Sequence, residues 1–380
     1  LSLRDYTEIY TQAFFEDRDI LKIVPAHEYP RATDHIPEMI EIIQKLLEKG
    51  HAYKAHDSVY FRITSFPGYG KLSGIDASGL IDGYRVDSDD YSKESPKDFV
   101  LWKGRKEGED YWPSPFGEGR PGWHIECSAM SVKYLGHPLD IHAGGVDNIF
   151  PHHENEIAQS ESYLEGPFSN YWVHSAHLIV EGEKMAKSKG NFYTVRDLIE
   201  EGYDPVVLRY MLISVHYRKQ LSFSQSTLQQ AQGSLDRIRD FLYRLKDGSF
   251  SAGKSSEAEQ IATNAIRNFE AAMDDDLNIS GALAALFEMI REINKLADSN
   301  SLLADDVPLI RAAMKKMDQV FDVINFPQES ISDEIEQWIE KRNDARRRKD
   351  FKTSDEIRDM LKNQGIILED TPAGTRWKKA

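Results

Sequence analysis

Residues 102–192 constrain the fold more than any other segment, because their short apolar runs are bounded by Gly, Pro and Asn. The runs "LDIHAGG" and "YWVHSAHLIV" have the length and boundaries of buried strands, and the residues between them have helical spacing. Strands that alternate with helices predict an α/β sheet in this part of the chain.

The residues before that region predict two helices and a strand. The opening segment has an apolar face of helical period, formed by Tyr6, Ile9, Tyr10, Ala13 and Phe14. A second helix is predicted from an apolar stripe, with Thr33 or Asp34 as its cap and Gly50 at its end. That stripe consists of Ile36, Met39, Ile40, Ile43 and Leu47. "SVYFRI" predicts a strand, and residues 64–96, rich in Gly, Asp and Ser, predict an insertion with little regular structure.

The second half of the chain is predicted to be helical. Residues 228–245 and 257–297 are long amphipathic stretches. A linker is predicted at residues 325–330, followed by a small basic domain. Lys341 to Ala380 contain twelve Lys or Arg and seven Asp or Glu, whereas the whole chain has a net charge of -16. A basic tail on an acidic body fits local contact with a polyanion, and a solvated charged helix is the alternative.

Composition excludes several classes of protein. A single cysteine rules out an internal disulfide framework and suits a reducing cytosol. No apolar run approaches the roughly 20 residues that span a bilayer, so no membrane segment is predicted. The acidic net charge argues against binding nucleic acid over the whole surface.

The stretch "FPHHENE" contains a candidate metal-binding pair, His152 and Glu156. If Pro151 begins a helix, the two side chains lie on one face and can share a metal. The spacing is also common on ordinary surface helices. His153 is turned by about 100° on such a helix, so it is not grouped with the pair.

The single thiol, Cys127, lies in "GRPGWHIECSAM". A lone buried cysteine commonly serves as a small hydrophobic residue. Here Trp123, His124 and Glu126 surround it in sequence, and Cys, His and Glu together suit a zinc ion with an open position. Both interpretations remain open at this point.

A third motif, "EGEKMAKSKGNF", places Lys184 and Lys187 in a mobile cationic loop. Lysine is a compact charge suited to phosphate oxygens. The alternative is a solvated turn after a strand.

These motifs occur in an order that resembles the cysteinyl-tRNA synthetases, which are class I aminoacyl-tRNA synthetases. "KMAKS" resembles their KMSKS loop, and the resemblance extends over essentially the whole chain. It rests on "GRPGWHIECSAM", "DIHAGGVDNIFPHHENEIAQSE", "KMAKSKGNF", "LRYMLISVHYRKQLSFS", "AMDDDLNISGALAALFEMIREIN" and the tail "DARRRKDFKTSDEIRDMLKNQGIILEDTPAGTRW".

The resemblance implies an α/β fold with a Rossmann-like catalytic domain that contains a connective insertion. An α-helical bundle and a small C-terminal anticodon-binding domain are expected to follow. The implied ranges are 1–25 for the first catalytic part, 26–115 for the insertion, 116–215 for the catalytic part with the zinc site and KMSKS loop, 216–326 for the bundle along the anticodon stem, and 327–380 for the anticodon-binding domain.

The resemblance also implies the roles of individual residues. Cys127, His152 and Glu156 would hold one Zn²⁺, and Trp123 and His142 would line the pocket for the substrate cysteine. Lys184 and Lys187 would close over the pyrophosphate as catalytic residues. The residues expected at ATP, which would carry Mg²⁺, are Lys187, Gly144, Gly145 and Asp147.

The implied reaction joins L-cysteine to ATP as cysteinyl-adenylate and then transfers it to the 3′ end of tRNA(Cys). The expected tRNA contacts are Lys341, Arg342, Arg346, Arg347 and Arg348. Trp338 and Trp377 would stack on unpaired bases or belong to the core. A cytoplasmic monomer is expected.

Two departures from the family pattern are visible. Ala186 replaces the Ser of KMSKS, and the chain contains neither a HIGH-like string nor a second cysteine. An N-terminal segment with these elements is therefore expected to be missing from the sequence. Two alternatives stay open: the mycothiol-pathway cysteine ligase, which typically lacks the full anticodon-binding tail, and a non-catalytic tRNA-binding paralogue.

Overall fold

The computed structural model describes residues 2–75, 97–180, 182–185, 190–326, 333–371 and 374–379. The chain divides into two compact units, Leu1–Leu228 and Gln229–Ala380. Among the described residues, no helix combines the length and the apolar character needed to cross a bilayer.

The first unit contains helices and short strands in alternation. Its helices are α1 (Leu3–Ile20), α2 (Ile36–Glu48), α3 (Trp123–Leu135), α4 (Glu154–Leu164), α5 (Val195–Glu200) and α6 (Pro205–Ile213). Its strands are β1 (Ala52–Ala55), β2 (Ser58–Phe61), β3 (Phe99–Gly104), β4 (Gly119–Pro121), β5 (Leu139–Gly145), β6 (Ser169–Ser175), β7 (Leu178–Val180), β8 (Glu183–Lys184) and β9 (Leu221–Phe223). The predicted α/β class is confirmed.

The described strands of the first unit form three sheets. Strands β1 to β4 follow chain order in an antiparallel sheet, whereas β5 and β6 pair in parallel. In the parallel pair His142 lies opposite Trp172, and Gly144 lies opposite His174. Strand β7 pairs antiparallel with β8 and parallel with β9.

Helix α2 packs its apolar stripe against the antiparallel sheet. Met39, Ile43 and Leu46 are fully buried in one cluster with Phe61 and Trp102. The predicted helix and its stripe are confirmed in outline, and Gly50 follows its end with a φ of +77°. The predicted cap is wrong, because a 3₁₀ turn over Ala32–Asp34 precedes the helix and makes His35 the cap residue.

Helix α1 also forms as predicted, with a capping box between Ser2 and Asp5. Its apolar face is nevertheless exposed. Tyr6, Ile9 and Phe14 each keep more than half of their surface accessible, at 51%, 58% and 57%. The helical period therefore predicted the helix correctly. It did not predict that the described residues leave the apolar face of this helix exposed.

The second unit is mainly helical, as predicted. Its helices are α7 (Gln225–Asp247, which begins just before the unit), α8 (Ser256–Asp274), α9 (Ile279–Asp298), α10 (Asp306–Phe321), α11 (Asp333–Arg347) and α12 (Phe351–Asn363). Phe269 and Phe321 meet edge to face at 5.4 Å in the helical core. Strands β10 (Ile366–Thr371) and β11 (Gly374–Lys379) form an antiparallel hairpin, and a separate cluster around Leu361 and Leu368 joins it to α12.

Candidate active site

Three elements of the first unit bring the sequence-predicted residues together. Helix α3 carries Cys127 on its second turn, and β5 carries His142. The third element begins with a kinked segment, Ile149–His153, in which Phe150 has extended dihedral angles (φ −138°, ψ 132°). Helix α4 continues from it and carries Glu156. Helical dihedral angles resume at Pro151, directly after the kink, where the sequence predicted a helix start.

The predicted metal ligands Cys127, His152 and Glu156 lie close enough to share an ion. Their ligand atoms all lie within 4.8 Å of one another. Nε2 of His152 is 3.5 Å from Oε2 of Glu156, and both side chains are buried. The structure therefore brings together, from two separate elements, the set that the sequence proposed.

A second group shares the same carboxylate. Nε2 of His142 lies 3.2 Å from Oε2 of Glu156, and Nε2 of His153 lies 3.8 Å from it. The ligand atoms of His142, His153 and Glu156 also all lie within 4.8 Å of one another. The sequence interpretation did not group His153 with His152 and Glu156. The structure places His153 in a separate group with His142 and Glu156, since residues three apart also share a helix face.

The carboxylate of Glu156 supports a cation at this point. The side chain is fully buried, and neither of its oxygens accepts a hydrogen bond from any residue that the structure describes. A buried charge without hydrogen bonds is costly unless it is paired or coordinates a metal. A thiol and imidazole nitrogens surround it, which is a donor set typical of zinc. The residues present thus fit a divalent metal.

Burial also sets the protonation of the donors. Desolvation lowers the pKa of His124 and of His153 to about 3, and it lowers the pKa of His152 and of His174. The direction of these four shifts favours the neutral imidazole, which is the form in which histidine binds a metal. Burial, with help from Glu156, raises the pKa of the Cys127 thiol to about 12. A bound cation reverses that direction, because a coordinating thiol loses its proton.

Further histidines orient the ligands. Nδ1 of His124 lies 2.9 Å from Nδ1 of His152, and Nδ1 of His153 lies 2.8 Å from Nε2 of His174. Outer partners of this kind fix the tautomer and the ring plane of a ligand. Sequence reasoning missed His174. The signal available in the sequence was a histidine within the predicted strand "YWVHS"; the structure places it directly opposite Gly144 in the parallel pair.

The predicted pocket residues lie around the same cluster. The ring of Trp123 stacks on His152 at 4.2 Å and is 54% exposed, so it forms an accessible wall. Gly144 leaves room for the His153 ring, since a Cβ there would lie 2.8 Å from Cε1 of His153. Gly145 ends β5, and Asp147 follows in a 3₁₀ turn, 4.0 Å from Nδ1 of His177.

The predicted lysines of the KMSKS-like loop are only partly visible. Lys184 lies at the end of β8, where its backbone pairs with Ile179. Lys187 lies outside the described residues. Their roles remain predictions.

The five predicted tRNA contacts lie on α11 or just after it, in different environments. Arg342 is buried and binds both oxygens of Asp370 at 2.9 Å. Arg346 also binds Asp370, and Arg347 pairs with Asp344. The ammonium of Lys341 lies 4.4 Å from the Trp338 ring centre, and Arg348 is exposed. Trp338 and Trp377 pack against the small core, which accords with the second interpretation of these rings.

Comparison with known proteins decides the family. A family model described as "tRNA synthetases class I (C) catalytic domain" matches residues 1–233, and a "DALR domain" model matches residues 268–325. A cysteine–tRNA ligase of Solibacter usitatus is 47% identical over 381 residues, covering 100% of this chain and 82% of the relative. The chain belongs to the cysteine–tRNA ligase family.

Other relatives of the cysteine–tRNA ligase family agree. The protein of that name from Brachyspira hyodysenteriae is 47% identical over 399 residues, again with 100% of this chain and 82% of the relative covered. Among solved structures, the Mycobacterium tuberculosis methionyl-tRNA synthetase matches 82% of this chain and 75% of its own, with a TM-score of 0.53 at 15% identity. That likeness concerns the fold alone.

Proposed function

We propose that the chain activates L-cysteine with ATP and transfers it to tRNA(Cys), and that Cys127, His152 and Glu156 hold one Zn²⁺ at the amino-acid pocket. The observation that carries the metal assignment is the buried carboxylate of Glu156. It has no hydrogen-bond donor among the described residues and faces a thiol and three imidazoles. When bound, zinc supplies a strong preference for a soft thiolate over the harder hydroxyl of serine.

The remaining steps depend on the chain's own residues. Cysteine's carboxylate attacks the α-phosphate of ATP and pyrophosphate leaves. The terminal ribose hydroxyl of the tRNA then attacks the activated carbonyl, the acyl–phosphate bond breaks and AMP leaves. The protein contributes mainly by positioning the reactants and stabilising charge. Trp123 and His142 border the amino-acid pocket, and Gly144, Gly145 and Asp147 border the adenosine. Lys184 and Lys187 neutralise the pyrophosphate of ATP, which is taken up with Mg²⁺.

The second unit is assigned to the tRNA. Its helical bundle lies along the anticodon stem, and two exposed cations, Lys341 on α11 and Arg348 just after it, contact phosphates. The five domain ranges given from the sequence remain part of this proposal. So do the monomeric state and the cytoplasmic location.

The test is a cysteine-dependent exchange of pyrophosphate into ATP, followed by charging of tRNA(Cys). Cys127→Ala is expected to lose bound zinc and cysteine activation together, because it removes the only thiol of the set. Ser131→Ala, one turn further along α3, serves as the matched control and keeps both. Zinc content that stays at the wild-type level in Cys127→Ala contradicts the metal assignment. Exchange without charging of tRNA(Cys) contradicts the acceptor and reopens the mycothiol-pathway alternative.

A further inference from the structure

We infer that the buried carboxylate of Glu154 is a positioning group, which holds the candidate metal ligands in place by binding the backbone of residues 69–73 in the insertion. We call those five residues the insertion loop. The inference rests on the proposed function, because the side chains that Glu154 would orient are the ligands assigned above.

Among the described residues, the hydrogen bonds of the Glu154 side chain are to backbone amides of this loop. Oε1 accepts a hydrogen bond of 2.8 Å from the N–H of Gly70, and Oε2 accepts bonds from the N–H groups of Ser73 at 2.8 Å and Leu72 at 3.2 Å. The side chain is fully buried. Amides of neighbouring loop residues that converge in this way form an anion-binding concavity. Hydrogen bonds to a charged acceptor are also stronger than neutral ones.

Because of its position in the chain, Glu154 connects these contacts to the candidate metal ligands. Glu154 is the first residue of α4, two residues after His152 and two before Glu156. The preceding segment, Ile149–His153, is broken by a kink at Phe150, whose dihedral angles are extended. The chain before the kink therefore does not fix the rotation of the candidate ligands through a continuous helix ladder. The hydrogen bonds of Glu154 therefore fix both the rotation of α4 about its axis and its position along that axis.

Two further contacts tie the same loop to the same helix. The hydroxyl of Tyr69 donates to Oδ1 of Asn155 at 2.5 Å, and the ammonium of Lys71 lies 2.5 Å from Oε2 of Glu161. Tyr69 is itself buried in the main core cluster of the unit. The loop is thus fixed at one end in the core and along its length on α4.

Gly70 is required by this geometry. Its φ is +98°, and a Cβ there would lie 2.0 Å from the carbonyl oxygen of Ile75. Only glycine adopts such a conformation without strain, and the conformation is the one that presents the amide to Glu154. The loop sequence and the acid on α4 are therefore matched to each other.

Loss of the contacts between Glu154 and the insertion loop is expected to affect substrate binding more than the chemical step. Binding sites tolerate errors of only about 0.5 Å in the placement of their groups. The thiol is held by the same ligands in the ground state and the transition state, so misplaced ligands raise KM and leave kcat nearly unchanged. A role in folding alone predicts no such separation.

The experiment compares Glu154→Gln with wild type after loading with Co²⁺, whose visible bands report the geometry of its ligands. Glutamine has the same shape and replaces one accepting oxygen by a donating NH₂ group. We expect a shifted band and a rise in the KM for cysteine of about tenfold, in the range seen for outer-shell groups, with kcat within about twofold. Lys254→Met, which removes an ion pair of similar exposure with Glu259 in the second unit, is the matched control and keeps the wild-type band and KM.

The outcomes separate the two proposals. If the wild-type protein binds no Co²⁺, both the proposed metal site and this inference are wrong. If wild type binds Co²⁺ and Glu154→Gln keeps the same band and the same KM, only the positioning role is overturned. Should Glu154→Gln fail to fold, Tyr69→Phe removes a single hydrogen bond of the same loop. An unshifted Co²⁺ band in that variant overturns the inference.

Discussion

Nδ1 of His152 lies 2.9 Å from Nδ1 of His124, so the two neutral rings share one proton in a single N–H···N bond. If His152 donates, the lone pair of its Nε2 points toward Glu156, 3.5 Å away. That tautomer is the one a metal at Cys127, His152 and Glu156 requires. We therefore expect His124 to orient the candidate ligand His152 without contacting the ion itself.

The first prediction concerns this outer partner. His124→Ala leaves the three ligands in place and removes the group that fixes the tautomer of His152. Metal affinity is expected to fall about tenfold to a hundredfold. Competition with a chromogenic chelator measures it. The exposed His27 provides the control, since His27→Ala should keep the wild-type affinity. Equal affinities for the two variants contradict an orienting role.

The second prediction concerns the close approach of β5 to His153. Gly144→Ala places a Cβ 2.8 Å from Cε1 and 2.9 Å from Nε2 of that ring. The ring must move within a packed site, which is expected to cost about 1–3 kcal/mol in the free energy of unfolding. Urea titration measures the loss. Gly166→Ala is the matched control, because a Cβ there meets no atom within 4 Å. A change of the same size in both variants argues against crowding at His153.

A third prediction concerns pH. Arg342, Thr375 and Arg346 hold the pKa of the Asp370 carboxyl well below its ordinary value. Because the folded pKa is the lower one, the ion pair adds stability above about pH 4 and loses it as the pH falls further. Asp370 is 40% exposed, so its contribution is limited to about 1 kcal/mol. Asp370→Asn should therefore lower the free energy of unfolding at pH 7. It should also make that free energy depend less on pH in the acid range, which we call the acid limb of the stability curve.

Tryptophan fluorescence during denaturation at several pH values measures this effect, because Trp338 and Trp377 pack in the adjoining core. The exposed Asp355 on α12 supplies the control, Asp355→Asn. An acid limb as steep in Asp370→Asn as in wild type counts against the assignment.

The fourth prediction separates two neighbouring cations of α11. Lys341→Ala is expected to weaken tRNA binding. It should also reduce the slope of log Kd against log[salt] by about one, the value for the loss of one phosphate contact. Arg342→Met is expected to act through stability instead, because its guanidinium is buried against Asp370. Filter binding across a salt series, beside a denaturation curve, distinguishes them. An unchanged salt slope in Lys341→Ala removes that residue from the tRNA contacts.

Local patterns predicted the elements better than their surroundings. The stripe of α2 and the amphipathic stretches of the second unit have the helical period, and these helices form. The same period in α1 gave no sign that Tyr6 and Phe14 would be exposed. Burial depends on what an element packs against, and period alone does not contain that information.

The candidate site shows the same limit. Cys127, His152 and Glu156 were grouped through a family resemblance, and their spacing alone supported only a weak pair. The placement of His174 opposite Gly144 depends on the parallel register of β5 and β6, which is a tertiary relationship. Arg342 belonged to a basic run in the sequence. Its partner Asp370 lies 28 residues further on, beyond the reach of any local charge pattern.

The kink at Phe150 has a consequence for changes of chain length beside the candidate site. The helical residues that carry His152 and Glu156 begin directly after it, so removing one residue ahead of His152 would turn the side chains that follow by roughly 100° about the helix axis. His153 would then take the place that His152 holds beside Cys127, with no side chain altered. A change of length at this kink therefore acts on the candidate ligands as directly as a substitution does.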